Sequence, residues 1–224
     1  MFQSHTFEFK KLIQIGVPIL GSQLSYMLMG TTDTIVAGRA SSADLAGLGV
    51  GSAIFNTIWF LIAGVIFAVT PIVAQLYGAK KFNEIGTKLR EVLWIALALG
   101  FAVCTILFFM GNFLFYLPID TSITSISSSY LKALSLGIIF MTIFTTLRCY
   151  SEGMALTRPV FYIAFFGMLL NIPLDIIFVY GYFGVPKLGG VGCGIATTLV
   201  SFLMMLTLII YIFLSKNYNS TNVI

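Results

Sequence analysis

The chain has 224 residues, of which 58% are hydrophobic and only 9% are charged, whereas an ordinary soluble domain has roughly 25% charged residues. A soluble fold of this length cannot hide so much apolar surface from water, so a soluble protein is excluded. The formal net charge is +4, but the cations are dispersed along the chain rather than clustered as on a nucleic-acid-binding surface. We therefore expect contact with membrane lipids and no nucleic-acid partner.

Six long apolar runs follow one another along the chain. Each is long enough for a helix of about 20 residues, the length that crosses a bilayer core roughly 30 Å thick. Membrane β-strands would instead alternate in segments of about 10 residues, and no such alternation is present. The sequence predicts an all-α integral membrane protein, a six-transmembrane-helix bundle forming a single domain over residues 1–224. The predicted spans are about 12–37, 48–77, 92–117, 130–150, 159–182 and 192–214.

The segments between the spans are short and polar. Residues 38–47 and 118–129 are predicted to be external loops, and residues 78–91 a cytoplasmic loop with a short amphipathic helix. The segment that begins at Lys216 is polar, and we expect it to be frayed. The first run is too long for the apolar region of a cleaved signal peptide, so it is predicted to be the first span.

Lysine and arginine are distributed unequally between the two sides of the predicted bundle. If the amino terminus is cytoplasmic, nine of these residues lie inside and three outside. Cytoplasmic loops are normally enriched in both residue types, so we expect both termini to be cytoplasmic. The inside set is Lys10, Lys11, Lys80, Lys81, Lys88, Arg90, Arg148, Arg158 and Lys216, and the outside set is Arg39, Lys132 and Lys187.

Residues for enzymatic or metal chemistry are sparse. Cys104, Cys149 and Cys193 are far apart and show no spacing typical of a disulfide framework or a zinc site. We expect them to behave as small buried hydrophobic residues. No nucleophile–base pair or phosphate-binding loop is visible. The sequence therefore predicts neither an enzyme nor a bound metal or cofactor.

A carboxylate lies inside the first span. Asp33 shares one helical face with Gln23, Tyr26 and Gly30 at steps of three and four residues. An ionisable group in hydrocarbon costs at least a few kcal/mol, so it usually marks a polar pathway or a relay. We expect Gln23 and Tyr26 to line the same cavity as Asp33. A structural role is the alternative, with Asp33 reaching the headgroup region near Arg39.

The fifth span contains a second carboxylate. Asn171 and Asp175 are one helical turn apart and therefore share a face, with Pro173 between them. Proline cannot donate a backbone hydrogen bond, so we expect a kink at Pro173 that frees the Leu169 carbonyl. Asp33 and Asp175 lie at a similar predicted depth and could line one cavity, which Thr197 of the sixth span could join. A second charged pair, Arg148 and Glu152 at the cytoplasmic end of the fourth span, is expected to be an ion pair at the surface or in a gate, and we favour a structural role for it.

Five segments resemble the MATE (multidrug and toxic compound extrusion) transporters. These are residues 18–46, 70–79, 148–159, 171–174 and 189–197. The resemblance implies the amino-terminal six-helix lobe of a proton- or sodium-coupled antiporter that exports amphipathic cationic drugs or metabolites, in the inner membrane.

The resemblance also assigns roles to particular residues. The essential carboxylate of the first helix corresponds to Asp33, and the helix-five amide and carboxylate correspond to Asn171 and Asp175. Many bacterial members have Asn at the last position, so Asp175 departs from the commoner pattern. Thr197 matches a threonine of the sixth helix that can line this site. No cofactor is implied beyond the coupling cation.

Family members usually have twelve helices in two lobes, whereas six are predicted here. The resemblance therefore implies a second lobe or a homodimer partner. One alternative is a truncated lobe that does not transport alone. Another is a lipid-linked oligosaccharide flippase, although such proteins tend to have cationic cavities and this chain has acidic ones.

Overall fold

The structure is a computed structural model that describes the backbone of residues 2–118 and 120–221, and the side chains of residues 9–10, 12–118 and 120–218. The predicted domain 1–224 also includes residues 1, 119 and 222–224, which lie outside this description. The described part contains seven α-helices and two short 3-10 helices. The α-helices are α1 (Phe2–Ala40), α2 (Ser42–Phe67), α3 (Val69–Gly78), α4 (Phe82–Phe113), α5 (Thr121–Gly153), α6 (Thr157–Tyr180) and α7 (Gly190–Leu214), and the 3-10 helices are Leu114–Tyr116 and Lys216–Thr221.

Six helical segments are long and apolar enough to cross a membrane. The second is made of α2 and α3, which are separated only at Ala68, where the backbone remains in the right-handed helical region. The described residues contain no β-strand. The prediction of an all-α, six-span membrane bundle is therefore confirmed.

Two of the predicted external loops are largely helical. α1 continues to Ala40 and α2 begins at Ser42, so the loop predicted over 38–47 is reduced to Ser41. α5 begins at Thr121, well before the predicted start at 130, because Asp120 caps the helix by accepting a hydrogen bond from the Ser122 N–H at 2.8 Å. Side-chain caps of this kind extend helices into polar sequence that hydropathy alone assigns to loops.

The segments on the opposite end of the bundle are also more ordered than predicted. The short helix expected within 78–91 is present as the first turns of α4, which begins at Phe82 and continues directly into the third span. The expectation of a frayed segment from Lys216 is wrong for its first residues. Tyr218 is only 3% exposed, and its hydroxyl donates a hydrogen bond to Ser151 Oγ at 3.0 Å. A buried tyrosine with a satisfied hydroxyl anchors this segment to the end of α5.

The centre of the bundle is α5. In its most apolar stretch 61% of residues are buried, against 17–33% in the other five spans. α2, α4 and α7 pack along α5, while α6 packs against α1 and α7. The outer helices carry large exposed apolar side chains such as Leu20, Phe60 and Trp94, which suit contact with lipid. The polar side chains of α1, α6 and α7 are thereby brought to their shared interfaces.

Asp44 joins two helix starts at one end of the bundle. Its Oδ1 accepts a hydrogen bond from the Gly190 N–H at 2.6 Å, at the first turn of α7. Its Oδ2 accepts from Ser41 Oγ at 2.7 Å, and Ser41 Oγ in turn accepts from the Asp44 N–H at 2.9 Å, which caps α2. A negative charge at a helix amino terminus is favourable. The carboxylate therefore holds α2 and α7 together.

Replacing Asp44 with alanine should destabilise the bundle by about 1.5 kcal/mol, the low end for a hydrogen bond to a charged group because Asp44 is half-exposed. The thermal unfolding midpoint of the detergent-purified protein measures this change. Glu84→Ala is the matched control: Glu84 pairs with Lys81 at 2.9 Å, but both side chains are 55% exposed, and such pairs contribute little. Equal midpoints for the two variants would contradict the role given to Asp44.

Candidate functional site

Five side chains from three helices meet inside the bundle. Asp33 comes from α1, Asn171 and Asp175 from α6, and Cys193 and Thr197 from α7. Asp33 is 7% exposed, and Asn171, Asp175 and Cys193 are fully buried. The residues on α6 and on α7 are four apart, so each pair shares one face of its helix. We call these five residues the acidic site.

Hydrogen bonds connect the members of the acidic site. Thr197 Oγ1 donates to Asp33 Oδ2 at 3.3 Å. The Asn171 amide is oriented with its nitrogen toward the carboxyl groups, because the opposite orientation would set its oxygen against their oxygens. The nitrogen then donates to Asp175 Oδ2 at 3.1 Å and to Asp33 Oδ1 at 3.3 Å. One amide therefore bridges the two carboxyl groups.

The two carboxyl groups are close, and no described side chain forms an ion pair with either of them. Ligand oxygens of Asp33 and Asp175 lie within 4.8 Å of each other. The ion pairs among the described side chains are Lys81–Glu84, Lys88–Glu91 and Arg148–Glu152, and none of them includes either residue. Two buried carboxylates at this separation repel each other unless a proton or a cation lies between them. The arrangement is suited to holding a cation.

Pro173 lies inside α6, between Asn171 and Asp175. The helix continues on both sides of it, from Thr157 to Tyr180. Proline has no N–H to offer the Leu169 carbonyl, so the local cause of a kink is present, and the kink itself stays a prediction. The proline is thus one turn or less from both polar residues of α6.

Gln23 and Tyr26 lie on α1 but have different surroundings from Asp33. Gln23 is exposed at the surface of the described bundle. The Tyr26 ring packs edge-on against Phe144, with ring centroids 6.5 Å apart, and the Arg148 guanidinium carbon lies 5.5 Å from the Tyr26 centroid. The three residues therefore share a helical face but not an environment. Gln23 is exposed, Tyr26 contacts an aromatic ring and a cation, and Asp33 belongs to the acidic site. Gln23 and Tyr26 remain candidates for lining a cavity.

Arg148 and Glu152 form a buried pair near the carboxyl end of α5. Arg148 Nε lies 3.5 Å from Glu152 Oε1, and the two side chains are 9% and 10% exposed. The guanidinium is also 5.5 Å from the Phe67 ring centroid at the end of α2. A buried cation needs such partners. The pair is therefore buried rather than at the surface, and its contacts connect α1, α2 and α5, which fits a structural role.

Cys193 is the residue of the acidic site that sequence reasoning missed. Its thiol donates to the Asp33 backbone carbonyl at 3.6 Å, and its sulfur lies within 4.8 Å of ligand oxygens of Asp33 and Asp175. Cys193 precedes Thr197 by one helical turn, and this spacing was the available signal. It was overlooked because an isolated cysteine in an apolar helix is usually a small hydrophobic residue.

A bundle of six apolar spans around a buried acidic site defines a multi-pass α-helical membrane protein with a polar site inside the membrane. A model of the MatE family matches residues 18–177. The chain belongs to the MatE family, and the expectation from the sequence motifs is confirmed.

The curated relatives agree with this assignment. A probable multidrug resistance protein NorM from Pasteurella multocida is 36% identical over 227 residues, which cover 99% of this chain and 48% of the relative. The multidrug resistance protein NorM from Vibrio cholerae is 36% identical over 209 residues, 93% of this chain and 46% of its own length. The chain therefore spans about half the length of these relatives.

Solved structures show the same fold. The MATE transporter NorM-NG, solved in a complex that includes a monobody, is 34% identical with a TM-score of 0.73, covering 90% of this chain and 44% of its own. The eukaryotic MATE transporter AtDTX14 has a TM-score of 0.84 at 16% identity, covering 98% of this chain and 48% of its own. The bundle thus corresponds in size to about half of a MATE transporter.

Proposed function

We propose that this chain is one lobe of a cation-coupled antiporter that exports amphipathic cationic drugs or metabolites across the inner membrane, with both termini cytoplasmic. The observation that carries the proposal is the pair of buried carboxyl groups, Asp33 and Asp175, joined by Asn171 between α1 and α6. Buried ionisable groups inside membrane spans characteristically mark ion pathways. An acidic site also argues against the flippase alternative, which favours a cationic cavity.

The coupling cation is a proton or a sodium ion. Either one would relieve the repulsion between the two carboxylates. The hydroxyl oxygen of Thr197 adds a ligand atom suited to a hard cation, while the Asn171 amide orients the two carboxyl groups by donating to both. Entry of one positive charge down a membrane potential of 100 mV contributes about 2.3 kcal/mol. Binding of the cation at the acidic site would draw α1, α6 and α7 together, and its release would let them separate. The lobe would thus alternate between two conformations.

The cargo is proposed from the relatives and from the chemistry of the lobe. The NorM proteins from Pasteurella multocida and Vibrio cholerae are named for multidrug resistance. The acidic site attracts cationic compounds, and the aromatic content of 15% supplies apolar contact for amphipathic ones. Enzymatic chemistry is not part of this proposal.

The antiporter also needs a partner for this lobe, either a second lobe or a second copy of the chain. The extent of the match, about half of each relative, supports this requirement. It equally favours the alternative in which the lobe does not transport by itself. The two possibilities differ in whether the chain is active without an added lobe.

Efflux of a fluorescent cationic dye from efflux-deficient cells tests the proposal. The chain is expressed alone and together with the carboxyl-terminal half of the Pasteurella multocida NorM, at matched membrane levels. We expect efflux in at least one of the two conditions, driven by an imposed inward gradient of protons or of sodium ions. Activity of the chain alone would indicate a homodimer, and activity only with the added half would indicate a lobe. Absence of gradient-driven efflux in both conditions would contradict the proposal.

A further inference from the structure

The acidic site contains a thiol, that of Cys193, beside its two carboxyl groups. We propose that Asp33, Asp175 and Cys193 form a binding site for a thiophilic divalent metal ion of the Zn²⁺ and Cd²⁺ class. One potential ligand atom from each residue lies within 4.8 Å of the other two, and all three residues are buried. The ligands come from three different helices, α1, α6 and α7, so a bound ion would hold these helices together.

The separations are close to those that a tetrahedral ion requires. Zinc–sulfur distances of about 2.3 Å and zinc–oxygen distances of about 2.1 Å place neighbouring ligand atoms roughly 3.5 Å apart. The ligand atoms are at most 4.8 Å apart, so side-chain movements of about 1 Å would bring them to the separation that the ion requires. The carboxylate and thiol groups can make such movements by rotation about their side-chain bonds, without displacement of the helices.

The combination of ligands determines the class of ion. Sodium, magnesium and calcium prefer sites made of oxygen, whereas a thiolate favours zinc, cadmium and other soft or borderline metals. Two carboxylates and one thiolate carry three negative charges and so more than neutralise a divalent ion, with the thiol proton released to solvent on binding. Asn171 and Thr197 already donate hydrogen bonds to the carboxyl oxygens, and such contacts orient metal ligands.

The other two cysteines lack this environment. Cys104 on α4 is half-buried and Cys149 on α5 is buried. Among the described side chains, the group formed by Asp33, Asp175 and Cys193 is the one that brings three possible metal ligands together. Cys104 and Cys149 can therefore be replaced without removing a ligand of the proposed site. If the acidic site binds the coupling cation, as the proposed function states, a thiophilic metal would compete with that cation.

A direct binding measurement tests the proposal on the full chain. The purified protein carries Cys104→Ser and Cys149→Ser, which leaves Cys193 as the one thiol. Cd²⁺ is titrated while the ultraviolet charge-transfer absorption between thiolate and cadmium is recorded. We expect saturation at one Cd²⁺ per chain. The band should be absent after Cys193→Ser, and Asp33→Asn or Asp175→Asn should weaken Cd²⁺ binding by at least about tenfold, whereas Asp120→Asn in the exposed cap of α5 should leave it unchanged.

Absence of the band, or a band with undiminished affinity in both aspartate variants, would overturn the proposal. X-ray absorption at the cadmium edge provides a second measurement that needs no aspartate variant. One sulfur with oxygen neighbours is expected, and coordination by oxygen alone would contradict the site. Neither measurement involves transport. Metal binding without efflux would therefore count against the proposed function only, and gradient-driven efflux without metal binding would count against this inference only.

Discussion

Replacing Asp33 with asparagine is expected to reduce gradient-driven efflux to the level of cells that lack the chain. Asparagine has nearly the same shape as aspartate but only one side-chain oxygen, so Thr197 and Asn171 can no longer each donate to an oxygen at this position. The negative charge is also lost, and with it the repulsion from Asp175 that the proposed coupling cation would relieve. Removal of a buried charge favours folding, whereas loss of one hydrogen bond opposes it, so the variant should insert normally and unfold at about the same temperature.

The measurement is dye efflux under an imposed ion gradient, at matched membrane levels of the variant and the unsubstituted chain. Both are expressed in whichever condition supports transport by the unsubstituted chain, either alone or with the added carboxyl-terminal half. Asp120→Asn provides the control, because Asp120 is exposed at the cap of α5 and asparagine is also a good helix cap. That variant should transport normally. Ion-dependent efflux that survives Asp33→Asn would remove Asp33 from the coupling mechanism.

The second large effect is expected from Gly192→Ala. Gly192 lies in the first turn of α7, and a Cβ atom there would be 2.7 Å from the Phe178 carbonyl carbon and 2.7 Å from the Val179 nitrogen on α6. These are backbone atoms, so the two helices themselves would have to separate. Overpacking costs typically 1–3 kcal/mol. We expect the thermal unfolding midpoint to fall by about 5 °C or more.

Gly64→Ala is the matched control for this substitution. Gly64 also lies inside a helix, α2, but apart from its own helix backbone no atom is within 4 Å of the position its Cβ would take. Its midpoint should stay the same or rise slightly, since alanine favours a helix over glycine by about 1 kcal/mol. Similar losses in the two variants would show that the contact between α6 and α7 is not specially tight. Separation of these helices should also weaken Cd²⁺ binding, since Cys193 follows Gly192 directly.

The sequence determined the membrane-spanning character of this chain and the central members of its site. Apolar runs of about 20 residues have few alternatives to a transmembrane helix. Asp33 and Asp175 could be selected because a carboxylate in hydrocarbon is costly. Asn171 followed from the helical repeat, which places residues four apart on one face. These inferences depend on local chemistry and periodicity, and both can be obtained from one segment at a time.

The tertiary structure decided which helices meet and which side chains share a site. Contacts between α1, α6 and α7 join residues far apart in the chain, and no local pattern predicts that the Cys193 thiol reaches the Asp33 carbonyl. The start of α5 depended on the cap by Asp120, which hydropathy does not detect. Gln23 and Asp33 share a predicted face, yet only Asp33 is buried, because burial depends on the neighbouring helix rather than on the helix that carries the residue.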